Sequence, residues 1–276
     1  VPGRRGAALA VLSCMREFFD RPVAAYMSLA VETAGPDTPI EEIARAMHAR
    51  DVSGIPIVDH AKLVGVITRT DLIRLGAFQT GRRWTSPAMP LPHRKAKEVM
   101  TAYPRVITAT ATLRNAAQIM SEHAIHRLFV IDAQEQVAGV LSTRDLAAAV
   151  ADARLAVPVS AVMTSPIIQL DHRAPLSAAI DLLAHIQITG LVVTEDGRPI
   201  GVFTQLDALA SRDLPRSTPI ETTFDAAVIC LPHDTKLHRA AAHAVQLDVR
   251  RVVVCKERDA IGIVSGLDFA RAVAVS

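Results

Sequence analysis

The chain of 276 residues is short of several features that mark specialised proteins. It has three cysteines, Cys14, Cys230 and Cys255, at wide and irregular separations. Neither a disulfide framework nor a Cys-x-x-Cys metal knuckle is therefore available, and a reducing, cytoplasmic setting is expected. Aromatic residues are 4% of the chain, and its single Trp, Trp84, has no second stacking platform within the basic stretch around it. No run of 18 apolar residues occurs, so no spanning helix is expected. Charge of one sign is missing too: 30 Lys and Arg face 28 Asp and Glu, a formal charge of +2. No global field recruits nucleic acid or an anionic membrane. The chain also lacks a Gly-x-Ser-x-Gly elbow, a P-loop, His-Glu-x-x-His and Gly-x-Gly-x-x-Gly. An enzyme is not expected.

What is present is a half-hydrophobic composition with a charged fraction of 21%, that of a folded protein with a sizeable core. Residues 1–19 read as an N-terminal extension. Arg4 and Arg5 followed by Gly6 to Cys14 imitate a short signal peptide or lipoprotein cleavage site, but the apolar run is brief and Met15 to Phe19 continues as a helix.

Four segments share an ending: Gly65-Val-Ile-Thr-Arg-Thr-Asp71, Gly139-Val-Leu-Ser-Thr-Arg-Asp145, Gly201-Val-Phe-Thr-Gln-Leu-Asp207 and Gly262-Ile-Val-Ser-Gly-Leu-Asp268. Each follows a helix-period segment whose first apolar residue, Ile40, Leu113, Leu176 or Leu237, stands 31 or 32 residues before the Asp. A fixed internal length in four copies is the signature of a repeat. The helical stripes are Ile40, Ile43, Ala44 and Met47, then Leu113, Ala116, Ala117 and Met120, then Leu176, Ala179, Ile180 and Leu183, and finally Leu237, Ala240, Ala241 and Ala244. Asp37 and Asp234 stand where caps are expected. After each helix a β-branched run, a polar turn and a second strand read as a hairpin. A short strand is expected before each helix, near Val31, Val106, Ile167 and Val228. A Met lies upstream in three copies, at Met27, Met100 and Met163, while the fourth has Phe224. The repeats are expected at 20–78, 96–154, 155–214 and 215–276. A basic, proline-rich linker or surface loop at 79–95 accounts for the wider spacing after the first copy.

These residues resemble the CBS (cystathionine β-synthase) domain family, whose signature is an amphipathic helix, a strand like Ser53-Gly-Ile-Pro-Ile-Val-Asp59 and the Gly-to-Asp ending. The resemblance covers residues 20 to 275. It implies an α/β fold of four β-α-β-β-α repeats paired into two tandem pseudo-twofold modules. It also implies clefts for an adenine nucleotide or other adenosyl compound, with AMP, ADP, ATP, S-adenosylmethionine and NAD all open, and regulation of a partner protein. No cofactor or metal is implied.

The chemistry suits such a ligand. An ionised carboxylate accepts bonds from both ribose hydroxyls, and a Ser or Thr hydroxyl at a helix start can donate to phosphate beside free backbone N–H groups. The ribose and phosphate candidates are Thr68, Arg69, Asp71, Arg127, Ser142, Arg144, Asp145, Thr204, Asp207, Arg251, Ser265 and Asp268. The base-pocket candidates are Gly54, Ile55, Pro56, His126, Leu128, Gly190 and Val252. Nearby arginines rank copies two, one and four above three. The same Ser/Thr-x-x-Asp pattern is also plain helix capping. The competing reading is therefore a ligand-free scaffold for protein–protein interaction. A separate regulated protein and a homodimer are the expected partners. The cluster Arg82, Arg83, Trp84, His93, Arg94, Lys95 and Lys97 reads as a solvated linker rather than a nucleic-acid site. The pairs His123 and His126, and His238 and His243, lack a third metal ligand at diagnostic spacing.

Overall fold

Each repeat builds the same elements because its apolar residues change period, from 3.6 along the helix to 2 along the hairpin. The computed structural model describes residues 17–77, 83, 85–186, 188–224, 228–257 and 259–276. Cys14, Arg82 and Trp84 lie outside them. Repeat one comprises α1 (Ile40–Ala49), β1 (Gly54–Asp59), β2 (Lys62–Thr68) and α2 (Arg69–Ala77). The short α3 (Ala96–Val99) and β3 (Thr101–Ala102) lead into repeat two, which holds β4 (Val106–Thr108), α4 (Leu113–Glu122), β5 (Arg127–Ile131), β6 (Val137–Ser142) and α5 (Thr143–Asp152). Repeat three has β7 (Gln169–Asp171), α6 (Leu176–Ile186), β8 (Gly190–Glu195), β9 (Arg198–Thr204) and α7 (Gln205–Ala210). Repeat four has β10 (Cys230–Pro232), α8 (Leu237–Gln246), β11 (Arg251–Lys256), β12 (Asp259–Ser265) and α9 (Gly266–Val275). This is an α/β fold of four repeats. The opening strand pairs parallel to the next across the helix, and the hairpin closes antiparallel. In repeat one the opening strand is reduced to a parallel bridge from Ala34 to Ile57.

All four helical stripes are buried. The expected caps differ. The α1 start is Pro39 without a side-chain cap, and Asp37 instead meets Lys95 Nζ and Lys97 Nζ, each at 2.9 Å. Two ammonium groups outcompete a backbone N–H for that carboxylate and hold it below the usual range. The α8 start is Lys236, also without a side-chain cap.

The chain divides into two compact units that do not follow chain order. One joins repeats two and four (Val1–Val31, Arg105–Pro166, Ile229–Ser276), the other repeats one and three (Glu32–Pro104, Ile167–Val228). In the two-and-four unit α5 packs on α8 and α9 on α4, a reciprocal arrangement, and α5 also meets α9. In the one-and-three unit α2 packs on α6 and α7, and α1 on α7. Each unit has its own apolar core. Alanine on these helix faces lets the backbones approach closely.

The segment leading into each repeat lies on the neighbouring repeat of its tandem pair. Ser28, ahead of repeat one, bridges Val140 of repeat two, while Thr101, ahead of repeat two, pairs with Val66 of repeat one. Thr164 bridges Ile263 of repeat four. This exchange explains two sequence features at once. A Cβ on Gly65 would stand 2.4 Å from Met100 Sδ, one on Gly262 2.3 Å from Met163 Sδ, and one on Gly201 2.1 Å from the Phe224 ring. At Gly139 the carbonyl oxygen of Ser28 would be 2.9 Å away and Met27 Sδ 3.2 Å. The shared Gly is the hole into which the upstream Met or Phe fits, so Phe224 is an equivalent plug rather than a departure.

The expected surface linker is corrected in part. Ala88 N–H donates to Leu214 O at 2.7 Å and Met89 N–H to Arg212 O at 2.9 Å. Met89 is fully buried against Gly76, where a Cβ would lie 2.1 Å from its Cγ. An apolar side chain with a hole to fill overrides the loop-like composition around it.

Candidate functional site

Every motif Ser or Thr ends the second hairpin strand and starts a helix, and every motif Asp reaches back to it. Asp71 Oδ2 accepts from Thr68 N–H at 2.8 Å and from Thr68 Oγ1 at 2.7 Å. Ser142 and Asp145 repeat this at 2.7 and 2.7 Å, Thr204 and Asp207 at 2.7 and 2.6 Å, Ser265 and Asp268 at 2.7 and 2.7 Å. A hydroxyl has one proton, and here the carboxylate receives it. In this structure the hydroxyls of Thr68, Ser142, Thr204 and Ser265 thus donate to the motif Asp. What these hydroxyls retain is acceptor capacity, used by helix N–H groups such as Asp71 at 3.3 Å and Leu206 at 3.2 Å.

The second carboxylate oxygen separates the copies. Oδ1 of Asp71 and of Asp145 accepts no hydrogen bond from the described residues, and both side chains are half-buried. Asp268 is 0% exposed, and its Oδ1 accepts from Thr164 Oγ1 at 2.9 Å and meets Arg271 at 3.0 Å. In copy four, unlike copies one and two, a hydroxyl from elsewhere in the chain occupies the second carboxylate oxygen. Burial raises the Asp145 carboxyl above its ordinary value of 3.8, against the lowering pull of the Ser142 bonds and Arg144.

Beside Asp71 lies a cleft of about 280 Å³ lined by Asp71, Arg74, Leu75, Arg94, Glu98 and Val99. Arg94 Nε and Glu98 are paired at 3.2 Å on its wall. Arg74, Glu98 and Val99 were not among the sequence candidates. Their signal was the position of Glu98 and Val99 just upstream of Met100, readable only once that segment is known to cross to repeat one.

The cations distribute unevenly. Arg127 and Arg251 open β5 and β11 and sit across from Ser142 and Ser265 in the hairpin register. His126 and Arg250 precede them. Burial, then Arg251, Arg127 and Arg250, push the His126 imidazole down from 6.5 to about 4. Two repeats thus gather three guanidiniums around one neutral, half-buried imidazole at the starts of α5 and α9. The same positions in the one-and-three unit are Ser53, Gly54, Thr189 and Gly190.

Other candidates have structural roles. Arg69 is 4% exposed and ion-paired to Asp51 at 2.9 Å. Arg144 pairs with Asp248. Ile55, Leu128 and Val252 are at most 1% exposed, on strands whose consecutive residues are buried on both faces. Pro56 is likewise buried and pairs with Val66. In the linker cluster, His93 meets Glu41 at 2.8 Å, and Lys95 and Lys97 share Asp37. Among the described residues no group of three or more His, Cys, Asp or Glu side chains is arranged to hold a metal ion, and no helix is long and apolar enough to cross a membrane.

Comparison with known proteins agrees with this architecture. The family model "CBS domain" matches residues 23–77, 96–152 and 159–213. The fourth repeat, outside those matches, has the same element order and the same capped Asp. The chain is 26% identical over 203 residues to an uncharacterized 33.4 kDa protein in the ribosomal RNA operon of Thermofilum pendens, covering 68% of this chain and 63% of that one. It therefore spans less than two thirds of that relative. Protein MJ1225 from Methanocaldococcus jannaschii superposes with a TM-score of 0.75 at 18% identity, covering 88% of this chain and 96% of that one. An uncharacterized conserved protein from Pyrococcus horikoshii superposes at 0.64 with 19% identity, covering 91% and 99%. With four repeats of one fold, three of them matched by the family model, the chain belongs to the CBS domain family.

Proposed function

We propose that this protein is a regulatory sensor of an adenine nucleotide or related adenosyl compound and that it acts on a separate protein chain, without catalysis of its own. The observation that carries the reading is the gathering of Arg251, Arg127 and Arg250 about His126, in the same repeat as the Ser142–Asp145 pair that opens α5. A carboxylate for ribose hydroxyls next to guanidiniums for phosphate is the chemistry a nucleotide requires. Copy two is the primary site in this reading. Copy one, with Asp71 on its cleft, is a second site, suited to a less anionic ligand because Arg69 is committed to Asp51. A cytoplasmic homodimer completes the proposal.

A thermal melt against a panel of adenosine compounds tests it, since a ligand that binds only the folded chain raises its stability by mass action. A rise with one compound that disappears in Asp145→Ala and survives in Asp207→Ala supports the site. No rise with any compound at millimolar concentration removes it.

One observation favours a second reading. All four aspartates complete helix caps, as a ligand-free interaction scaffold requires. That reading expects the aspartate variants to lose stability and no compound to shift the melt.

A further inference from the structure

Two thiols outside the motif sites are neighbours. Cys230 opens β10 and Cys255 is the penultimate residue of β11. The strands run parallel, with Cys230 opposite Val253 and Pro232 opposite Cys255. Cys230 and Cys255 therefore leave the same face of the sheet as diagonal neighbours. The register of β11 on β12 shifts between Val254 and Cys255, a bulge that adds local twist, and the Cys255 side chain is near enough to act on the Cys230 thiol. Cys230 is exposed and Cys255 partly buried. The matching positions are Val106 and Ile131 in repeat two and Gln169 and Thr194 in repeat three. The sulfur pair thus belongs to repeat four, and no third ligand turns it into a metal site among the described residues.

We propose that Cys230 and Cys255 form a reversible intrachain disulfide that staples β10, the strand on which the chain enters the two-and-four unit, to β11. The oxidant is a small-molecule disulfide. Cys230, as its thiolate, attacks one sulfur, forming a mixed disulfide and releasing one small thiol. Cys255 then attacks the Cys230 sulfur and releases the second. One S–S bond breaks and one forms, and the two cysteine protons end on the two released thiols. Burial, then the neighbouring Cys255, pushes the Cys230 thiol up to about 11. It is protonated at neutral pH, and exchange accelerates as pH rises.

The test uses the full chain carrying Cys14→Ser, which leaves only these two thiols. The native protein is incubated with oxidised glutathione at mildly alkaline pH, quenched in acid, alkylated with a maleimide and weighed intact and as peptides. The expected product is two hydrogens lighter, takes no maleimide, yields a peptide linking Cys230 to Cys255 and reverts with dithiothreitol. Its Tm rises, because the bond closes a loop around α8. A further Cys255→Ser change is expected to stop the reaction with one glutathione on Cys230. Two glutathiones on the parent, two thiols still alkylated, or a disulfide between chains overturns the proposal.

Discussion

The unit of repeats two and four and the unit of repeats one and three share a fold and a set of capped aspartates, and they place their polar side chains differently. In the first, the residues opening β5 and β11 are His126, Arg127, Arg250 and Arg251, and the helix starts touch through Thr143 and Gly266, where a Cβ would lie 2.1 Å from the Thr143 hydroxyl. In the second, the strand openings are Ser53, Gly54, Thr189 and Gly190. Arg69 and Gln205 are buried at the helix starts instead, with Arg69 on Asp51 and Gln205 Nε2 donating to Thr70 at 3.0 Å. One backbone thus offers a cation two positions. A guanidinium in the helix layer must be paired to be tolerated and acts structurally. Guanidiniums gathered at strand openings raise the local positive potential, which together with burial holds the His126 imidazole down.

This contrast can be broken most forcefully at Asp268. Asp268→Ala removes a fully buried carboxylate that accepts from two hydroxyls and an N–H and meets Arg271, for an expected loss of about 3 kcal/mol in denaturant melts. Asp71→Ala removes a cap for about 1 kcal/mol; equal losses would mean that copy four is not closed on itself. Gly266→Gln, which gives the two-and-four unit the residue of the other at this position, is expected to destabilise by about 2 kcal/mol through overpacking on Thr143. An unchanged melt would show that the close approach is not enforced.

Arginine swaps sharpen the functional side. Arg251→Ala is expected to weaken nucleotide binding about tenfold, roughly 1.4 kcal/mol, with little change in the melt. Arg69→Ala should do the reverse, lowering stability and sparing affinity. Calorimetry on the two variants decides it, and identical behaviour removes the distinction between the units.

The mildest effect is in pH. The folded His126 pKa of about 4 lies below the ordinary 6.5. Between these values the unfolded chain takes up a proton that the folded chain does not. The contribution is therefore complete above 6.5 and falls as pH drops toward 4. His126→Gln should flatten that part of the stability profile. An NMR titration of His126 is expected to move its pKa upward when a phosphate-bearing ligand binds and to leave it unmoved by adenosine.

Much of this fold is legible in the sequence alone. The helix stripes and the four endings follow from periods of 3.6 and 2, which local sequence carries in full. The site was legible only in outline. Asp71 and Asp145 were identifiable as carboxylates at helix starts, but the spacing that marks Asp268 is the same, and its enclosure depends on Thr164, 104 residues away. Ile55, Leu128 and Val252 lie in runs buried on both faces, which a short apolar run in sequence does not report. Met89 was misread because composition cannot report the hole at Gly76.

Sequence by itself determined the repeat, its elements and the residue types at each helix start, since these rest on local periodicity and capping. Only tertiary structure decided that repeat one packs with three and two with four, that each leading segment crosses to its tandem neighbour to fill a glycine hole, and where the arginines come together. Those outcomes depend on contacts between residues far apart in the chain, where the fit of one side chain into one space, rather than any period, sets the energy.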